Sequence, residues 1–205
     1  MGRVRIRGAR ADDVAAIYDI CVRTADAGGD ASALHDDLDL PGHVWAGAYV
    51  ALEPEHGYVL VAEDDRPVGY VVGALDSRVF ERRCEQEWWP GLRARYPLGS
   101  GETERDRVEI GFIHSPPVAS DEVVVDYPSH LHIDLLPEAQ GQGAGRRLIE
   151  RLARSLAAGG SSGVHLGVAA RNEKACAFYE RVGFTEFARS DDTVTYVMPL
   201  SPTSR

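Results

Sequence analysis

Residues 131–151, LHIDLLPEAQGQGAGRRLIER, set an apolar strand directly before a glycine-rich turn that opens a basic helix. Within this stretch Gln140, Gly141, Gln142, Gly143, Ala144 and Gly145 form a hexapeptide with no Cβ at three positions. The backbone there can turn tightly and aim consecutive amide N–H groups at an anion lying on a helix N-terminus. The spacing Q-x-x-G-x-G is not the Walker pattern, which needs a Lys-Ser/Thr pair, nor the dinucleotide pattern, which spaces its glycines differently. A pyrophosphate bound without the metal of a nucleoside triphosphate site is the ligand this spacing favours. An ordinary strand-to-helix turn is the competing reading, and the surrounding sequence has to separate the two.

About thirty residues downstream runs Arg171-Asn172-Glu173-Lys174-Ala175-Cys176-Ala177-Phe178-Tyr179-Glu180-Arg181-Val182-Gly183-Phe184. With this second motif the chain resembles the GCN5-related N-acetyltransferase (GNAT) superfamily. Its acetyl-CoA loop has the form Q/R-x-x-G-x-G/A, and its next strand and helix carry N-x-x-A-x-x-F-Y-x-x-x-G-F. Both patterns occur here in the family's order and separation, and residues 3–26 are similar to its opening strand and helix. More narrowly, Tyr127-Pro128-Ser129-His130 with the strand and loop that follow is similar to the acetyltransferase-like C-terminal domain of animal O-GlcNAc hydrolases. Residues 77–129 match no motif. The resemblance implies an α/β fold of the GNAT kind: a mixed, mostly antiparallel central sheet with a splayed parallel strand pair and flanking helices.

A chain of 205 residues with 44% hydrophobic content can bury the core of one domain, and no low-complexity stretch suggests a linker, so residues 1–205 are read as a single domain. With no apolar run near eighteen residues and no charged-then-apolar leader, a cytoplasmic protein is expected. Cys21, Cys84 and Cys176 are far apart and lack metal-ligand spacing, so neither a disulfide framework nor a metal site is expected. The net charge of −10 argues against binding nucleic acid or an anionic membrane, both of which require a basic face. Arg146, Arg147, Arg151 and Arg154 stand out against that acidic background, on the helix where an anionic ligand would gain from them or on a plainly solvated face.

Along the chain, residues 4–7 alternate as an edge strand, and Asp12 and Asp13 can cap a helix through Val14, Ile17 and Cys21 that ends at Gly28-Gly29. Residues 30–51 read as helical with a break at Pro41-Gly42. Residues 58–62 and 68–75 form a hairpin across a turn-forming cluster, and residues 80–96 a helix interrupted at Pro90-Gly91. Strand 131–136, helix 145–158 and strand 164–168 make a parallel pair with a helical crossover. Helix 173–182 stops at Gly183, and residues 184–187 and 193–200 close the chain as a hairpin.

Acetyl transfer from a thioester to an amine requires a neutral amine, a polarised carbonyl and a proton for the departing thiolate. Holding a lysine-like amine of pKa ~10.4 neutral at pH 7 costs about 4–5 kcal/mol. A desolvating site with a base reached through water would supply that. His130, His132 and Asp134 share one parity and project from one strand face, opposite Leu131, Ile133 and Leu135, so each is a candidate base or a polar group bonded within the sheet. The resemblance places the acceptor beside this strand, implies that Leu135 and Leu136 pair through their backbones with the pantetheine arm of acetyl-CoA, and puts Tyr179 within reach of the thioester sulfur. A phenol with pKa near ~10 is protonated at neutral pH and can donate there. Asn172 can cap its helix or bind a pantetheine amide. The amides from Gln142 to Arg146 are the expected pyrophosphate ligands.

Two functions follow. The first is an acetyl-CoA-dependent N-acetyltransferase working on a primary amine by direct attack in a ternary complex. The alternative is a non-catalytic acetyl-CoA-binding or protein-interaction domain of the same fold, against which the intact Gly141, Gly143 and Gly145 favour binding without establishing turnover. The acceptor is unassigned, and residues 77–129, with Trp88 and Trp89, are expected to contribute to the acceptor cleft or to a homodimer contact.

Overall fold

The computed structural model describes residues 4–141 and 143–201. Arg5–Gly8 (β1) forms the edge strand its alternation predicts and pairs antiparallel with Gly57–Val61 (β2). The hairpin partner of β2 is Pro67–Ala74 (β3), which pairs antiparallel on its other side with Ser129–Leu135 (β4). Next to β4 lies Gly163–Ala169 (β5), the parallel neighbour. Thr185–Arg189 (β6) and Thr193–Pro199 (β7) make the closing hairpin, and β7 pairs with β5, giving the order β1-β2-β3-β4-β5-β7-β6. All neighbours are antiparallel except β4 and β5, which share only the pairs Ser129–Val164 and His130–His165. Beyond His130 the two strands part, so the sheet holds a wedge-shaped gap at its centre.

Helices cover both faces. Val14–Val22 (α1), Leu40–Trp45 (α2) and Gly47–Leu52 (α3) sit on the face where Tyr70 and Val72 of β3 join a core with Ile17, Ile20 and Leu40. Ser77–Arg83 (α4), Trp89–Arg95 (α5), Glu104–His114 (α6) and Asp121–Asp126 (α7) come from the segment between β3 and β4. The other face carries Ala144–Ala158 (α8) and Glu173–Val182 (α9). Leu148, Leu152 and Leu156 recur at every fourth position of α8 and are fully buried with Val71, Leu131 and Leu166. Burying each such leucine contributes about 1.5–3 kcal/mol, which fixes α8 and hence the glycine turn that precedes it. No described helix is long and apolar enough to cross a membrane.

Three boundaries differ from the sequence reading. α1 ends at Val22, because the Thr24 hydroxyl donates to the carbonyls of Ile20 (2.8 Å) and Cys21 (3.1 Å) and a tight turn follows with Ala27 and Gly28 at positive φ. Pro41 and Gly42 do not break a helix: Pro41 occupies the first turn of α2, where its missing N–H is not needed, and the break falls at Ala46. A Cβ on Gly42 would stand 2.3 Å from the Tyr18 ring and one on Gly47 2.2 Å from its hydroxyl, so both glycines permit close packing on α1. Pro90 likewise sits in the first turn of α5, and the irregularity is a wider π turn upstream, Cys84–Trp88, which relieves the clash of a proline ring with the preceding turn.

The helices α6 and α7 were not anticipated. α6 begins with a reciprocal cap between Thr103 and Asp106, and Asp106 also accepts from the backbone of Asp36 (3.1 Å) and meets His35 Nδ1 (3.0 Å), tying α6 to the loop before α2. One turn on, Glu109 is only 6% exposed and accepts from Trp45 Nε1 at 3.0 Å. Burial lifts its pKa to about 7, against the opposing hydrogen bond from Trp45. Folded Glu109 therefore keeps its proton up to about pH 7, whereas the unfolded chain releases it near 4.5, so the native state binds more protons in that window and loses stability as pH rises through it. Glu109→Gln keeps an acceptor for Trp45 and removes this titration. Urea unfolding should show the variant gaining up to about 3 kcal/mol on the parent between pH 5 and pH 8; a difference that does not change with pH would contradict the shifted carboxyl.

Candidate active site

The glycine turn takes the form its sequence suggests. Gly141 and Gly143 lie at φ +79° and +69°, the left-handed region that side chains disfavour, and Gly143 is the N-cap of α8 with no side chain among the described residues capping the helix. The amides of Ala144, Gly145 and Arg146 precede the first intrahelical hydrogen bond, from Arg147 to Gly143, and so point outward. Gly145 has another reason to be glycine: a Cβ there would lie 2.9 Å from Phe178, so its absence lets α9 rest on the first turn of α8. Gln140 Nε2 donates to Leu135 O at 2.9 Å, fastening the turn to the end of β4. The Arg146 side chain reaches across to the Arg181 carbonyl at the far end of α9, which leaves its amide as the group offered to a ligand. Gln142 lies outside the described residues.

Beside this turn runs the gap between β4 and β5. Leu136 N–H is given to Val68 O at 3.0 Å, so in the antiparallel alternation the inward-bonded residues of β4 are His130, His132 and Asp134. The backbone groups of Ile133 and Leu135 face the opposite way, where β5 has diverged. Ile133 and Leu135, rather than Leu136, are thus placed to pair with an extended chain laid in the gap.

The parity of β4 side chains is as read from the sequence: Leu131, Ile133 and Leu135 pack with the α8 core, and the polar trio lies on the opposite face. The trio separates, however. His130 and His132 line a cleft of about 880 Å³ that reaches from the gap between β4 and β5 to the helices of the 77–129 segment. Asp134 does not line it; it accepts from the Tyr70 hydroxyl at 2.5 Å, and burial raises its pKa against that hydrogen bond.

The protons around His130 can be assigned. Pro128 O, 2.7 Å from Ser77 Oγ, can only accept, so Ser77 donates there and accepts from His130 Nδ1–H at 2.7 Å. The Tyr49 hydroxyl then donates to Nε2 at 2.7 Å. Both ring nitrogens are engaged, and burial, with His165 and His132 nearby, holds the pKa well below the usual histidine value. His132 is different. It stands between Trp45 and Tyr49, with ring centroids 5.6 and 5.3 Å away, and its nitrogens have no hydrogen-bond partner among the described residues. Burial lowers its pKa to about 4, so it is neutral with an available lone pair.

His165, which the sequence reading passed over inside an apolar strand, completes the floor. It is the register partner of His130, donates from Nδ1 to Tyr127 O at 2.7 Å and lies 5.6 Å from His130 between ring centroids. A single imidazole within Val164 to Val168 was the available signal. On the α8 side, Tyr179 is 8% exposed among Phe178, Phe184 and Tyr196, and its hydroxyl has no hydrogen-bond partner among the described residues. Burial, then the charge of Asp134, raises its pKa, so the phenol holds its proton well past neutrality. Asn172 caps α9 by accepting from Ala175 N at 3.1 Å, leaving its amide nitrogen for any further contact.

The model of the acetyltransferase (GNAT) family matches residues 16–184. The solved structure of SsHAT is 36% identical to this chain, covers 97% of it and 98% of its own length, and superposes with a TM-score of 0.87. Protein O-GlcNAcase from Rattus norvegicus is 24% identical over 87% of this chain and 20% of the relative. The chain thus spans about a fifth of the length of the curated relatives it matches. The structure of yncA from Salmonella typhimurium, solved with its cofactor acetyl-CoA, covers 98% of this chain and 96% of its own at 18% identity and a TM-score of 0.56, a likeness of fold.

The Ser77–His130–Tyr49 chain makes a testable demand on stability. Ser77→Ala removes the only acceptor of a buried imidazole N–H, and such an unmatched donor costs about 1–3 kcal/mol. Urea unfolding of the variant should be weakened by that amount at pH 7; unchanged stability would refute the assigned tautomer.

Proposed function

The chain belongs to the acetyltransferase (GNAT) family, and from that premise we propose that it is an acetyl-CoA-dependent N-acetyltransferase that acts on a primary amine in a ternary complex. The observation that carries the reading is the conjunction of two open features: the uncapped N-terminus of α8 behind two left-handed glycines, and the unpaired flank of β4 where β5 diverges. A pyrophosphate fits the first and an amide-bearing arm fits the second.

Acetyl-CoA, when bound, supplies an acetyl group activated as a thioester. The amides of Ala144, Gly145 and Arg146 hold its pyrophosphate, and the backbone of Ile133 and Leu135 holds its pantetheine arm. The amine nitrogen forms a bond to the thioester carbonyl carbon while the carbon–sulfur bond breaks. Tyr179 would give its proton to the departing sulfur and regain one from solvent, and His132 would take the proton shed by the amine nitrogen through water and release it to solvent. His130 positions rather than reacts, since both of its nitrogens are already bonded. Asp134 enters through its charge on Tyr179 rather than as a base in the cleft. Because the pKa of His132 is about 4, the proton it accepts is not retained, and His132 itself adds no titration to the activity between pH 6 and 9.

The Tyr179→Phe variant keeps the ring and loses the proton. With acetyl-CoA and an accepted amine, kcat should fall by about 10- to 10⁴-fold while cofactor affinity stays within a few-fold. Equal kcat across pH 6–9, with chemistry shown to be rate-limiting, would remove Tyr179 as the acid. Tight acetyl-CoA binding by calorimetry with no turnover of any amine would favour the non-catalytic alternative.

A further inference from the structure

The cleft that holds His132 is walled by rings. Trp45, Tyr49, Phe80, Trp89 and Phe112 line it, and Pro116 and Pro117 close one rim. Such surfaces offer broad flat contact to an apolar body. The carboxylates that reach this wall are committed elsewhere. Glu81 accepts from Arg78 Nη1 at 2.7 Å and from the backbone of Ala119 at 3.2 Å. Glu85 is gripped by both terminal nitrogens of Arg93, at 2.8 and 2.9 Å. Arg82 has no ion-pair partner among the described residues and adds uncompensated positive charge at the rim. Asp192, on the turn between β6 and β7, is solvent-exposed at the β5 end of the cleft.

The floor offers no strong base either. His130 has both nitrogens engaged, His165 has Nδ1 bonded to Tyr127 O, and the Tyr49 hydroxyl and Cys84 thiol hold their protons because burial raises them. Beyond the Asp192 carboxylate at the β5 end, an alkylammonium entering here meets rings, neutral imidazoles and an unpaired guanidinium. Cation–π attraction would favour its charged form, which is the unreactive one, and neutralising a lysine-like nitrogen at pH 7 is a further penalty. A nitrogen whose lone pair is delocalised into an aromatic ring escapes both penalties, since it is neutral at pH 7 and its ring fits the wall.

We infer that the acceptor class is a neutral, weakly basic aromatic amine, bound with its ring against Trp45 and Phe112 and its nitrogen toward His132, and that polycationic amines are disfavoured. This rests on the acetyl-transfer reading above, and the test separates the two. Thiol release from acetyl-CoA is measured with p-toluidine, phenethylamine and spermidine, and p-toluidine binding is followed separately by quenching of tryptophan fluorescence. At pH 7 kcat/KM for p-toluidine should exceed that for phenethylamine by about tenfold or more, the gap should narrow toward pH 9.5 as the alkylamine becomes neutral, and spermidine should be slowest. Phe112→Leu should weaken p-toluidine binding without changing acetyl-CoA affinity. Phenethylamine or spermidine matching p-toluidine at pH 7, or no detectable p-toluidine binding, overturns the inference while leaving acetyl transfer standing. Binding of p-toluidine that Phe112→Leu weakens, with no thiol release from any amine, upholds the ligand class and overturns the transfer reading.

Discussion

Two residue pairs hold the centre of this sheet together. Ser129 with Val164 and His130 with His165 are the whole of the parallel contact between β4 and β5, and everything functional in the proposed reading depends on the strands parting just beyond them. The junction is reinforced from several sides. Ser129 Oγ reaches Leu75 O at 2.6 Å and Ser161 Oγ at 2.7 Å, His130 is tied to Ser77 at the start of α4, and His165 is tied to Tyr127 in the segment that enters β4. A closed sheet would give Ile133 and Leu135 neighbours in β5. The open one leaves their amides and the Ile133 carbonyl beside a helix N-terminus that no side chain among the described residues caps.

The polar chemistry is arranged by depth. His130 is locked by Ser77 and Tyr49, Asp134 by Tyr70, and Glu109 by Trp45, whose other face meets His132. Each locked group is a buried donor or acceptor that would be costly to leave unpaired, and each fixes a ring that lines the cleft or packs beside it. Among the described residues, His43 Nε2, away from the strand gap, has no hydrogen-bond partner, and neither do the imidazole of His132 on one side of the gap and the hydroxyl of Tyr179 on the other. The latter are the two groups the proposed transfer uses, one to receive a proton and one to give it.

Much of this was legible in the sequence where the signal was local. The period-2 alternation of β4 placed its histidines and leucines on the correct faces, the glycine spacing located the turn, and Gly183 marked the end of α9. Pairings across long stretches of chain were not legible: nothing near Asp134 points to Tyr70, 64 residues away, and nothing near Glu109 points to Trp45. The proline signals at Pro41 and Pro90 were read as breaks because a proline in a first helical turn looks, in one dimension, the same as one that ends a helix. α6 is hard to read from sequence because the helical stripe it buries is half acidic, Asp106 and Glu109 standing beside the core residues Ile110 and Ile113. His165 was read as part of an apolar strand, since its role is set by the register that places it against His130.

In the proposed reading the parted strands and the open end of α8 form a single binding surface for acetyl-CoA. Amide hydrogen exchange with and without saturating acetyl-CoA tests it most directly. Exchange should slow at Ile133, Leu135, Ala144, Gly145 and Arg146, with α6 unchanged. Unaltered exchange at those amides, or protection confined to the groove that Arg154 and Met198 line between α8 and β7, would contradict it.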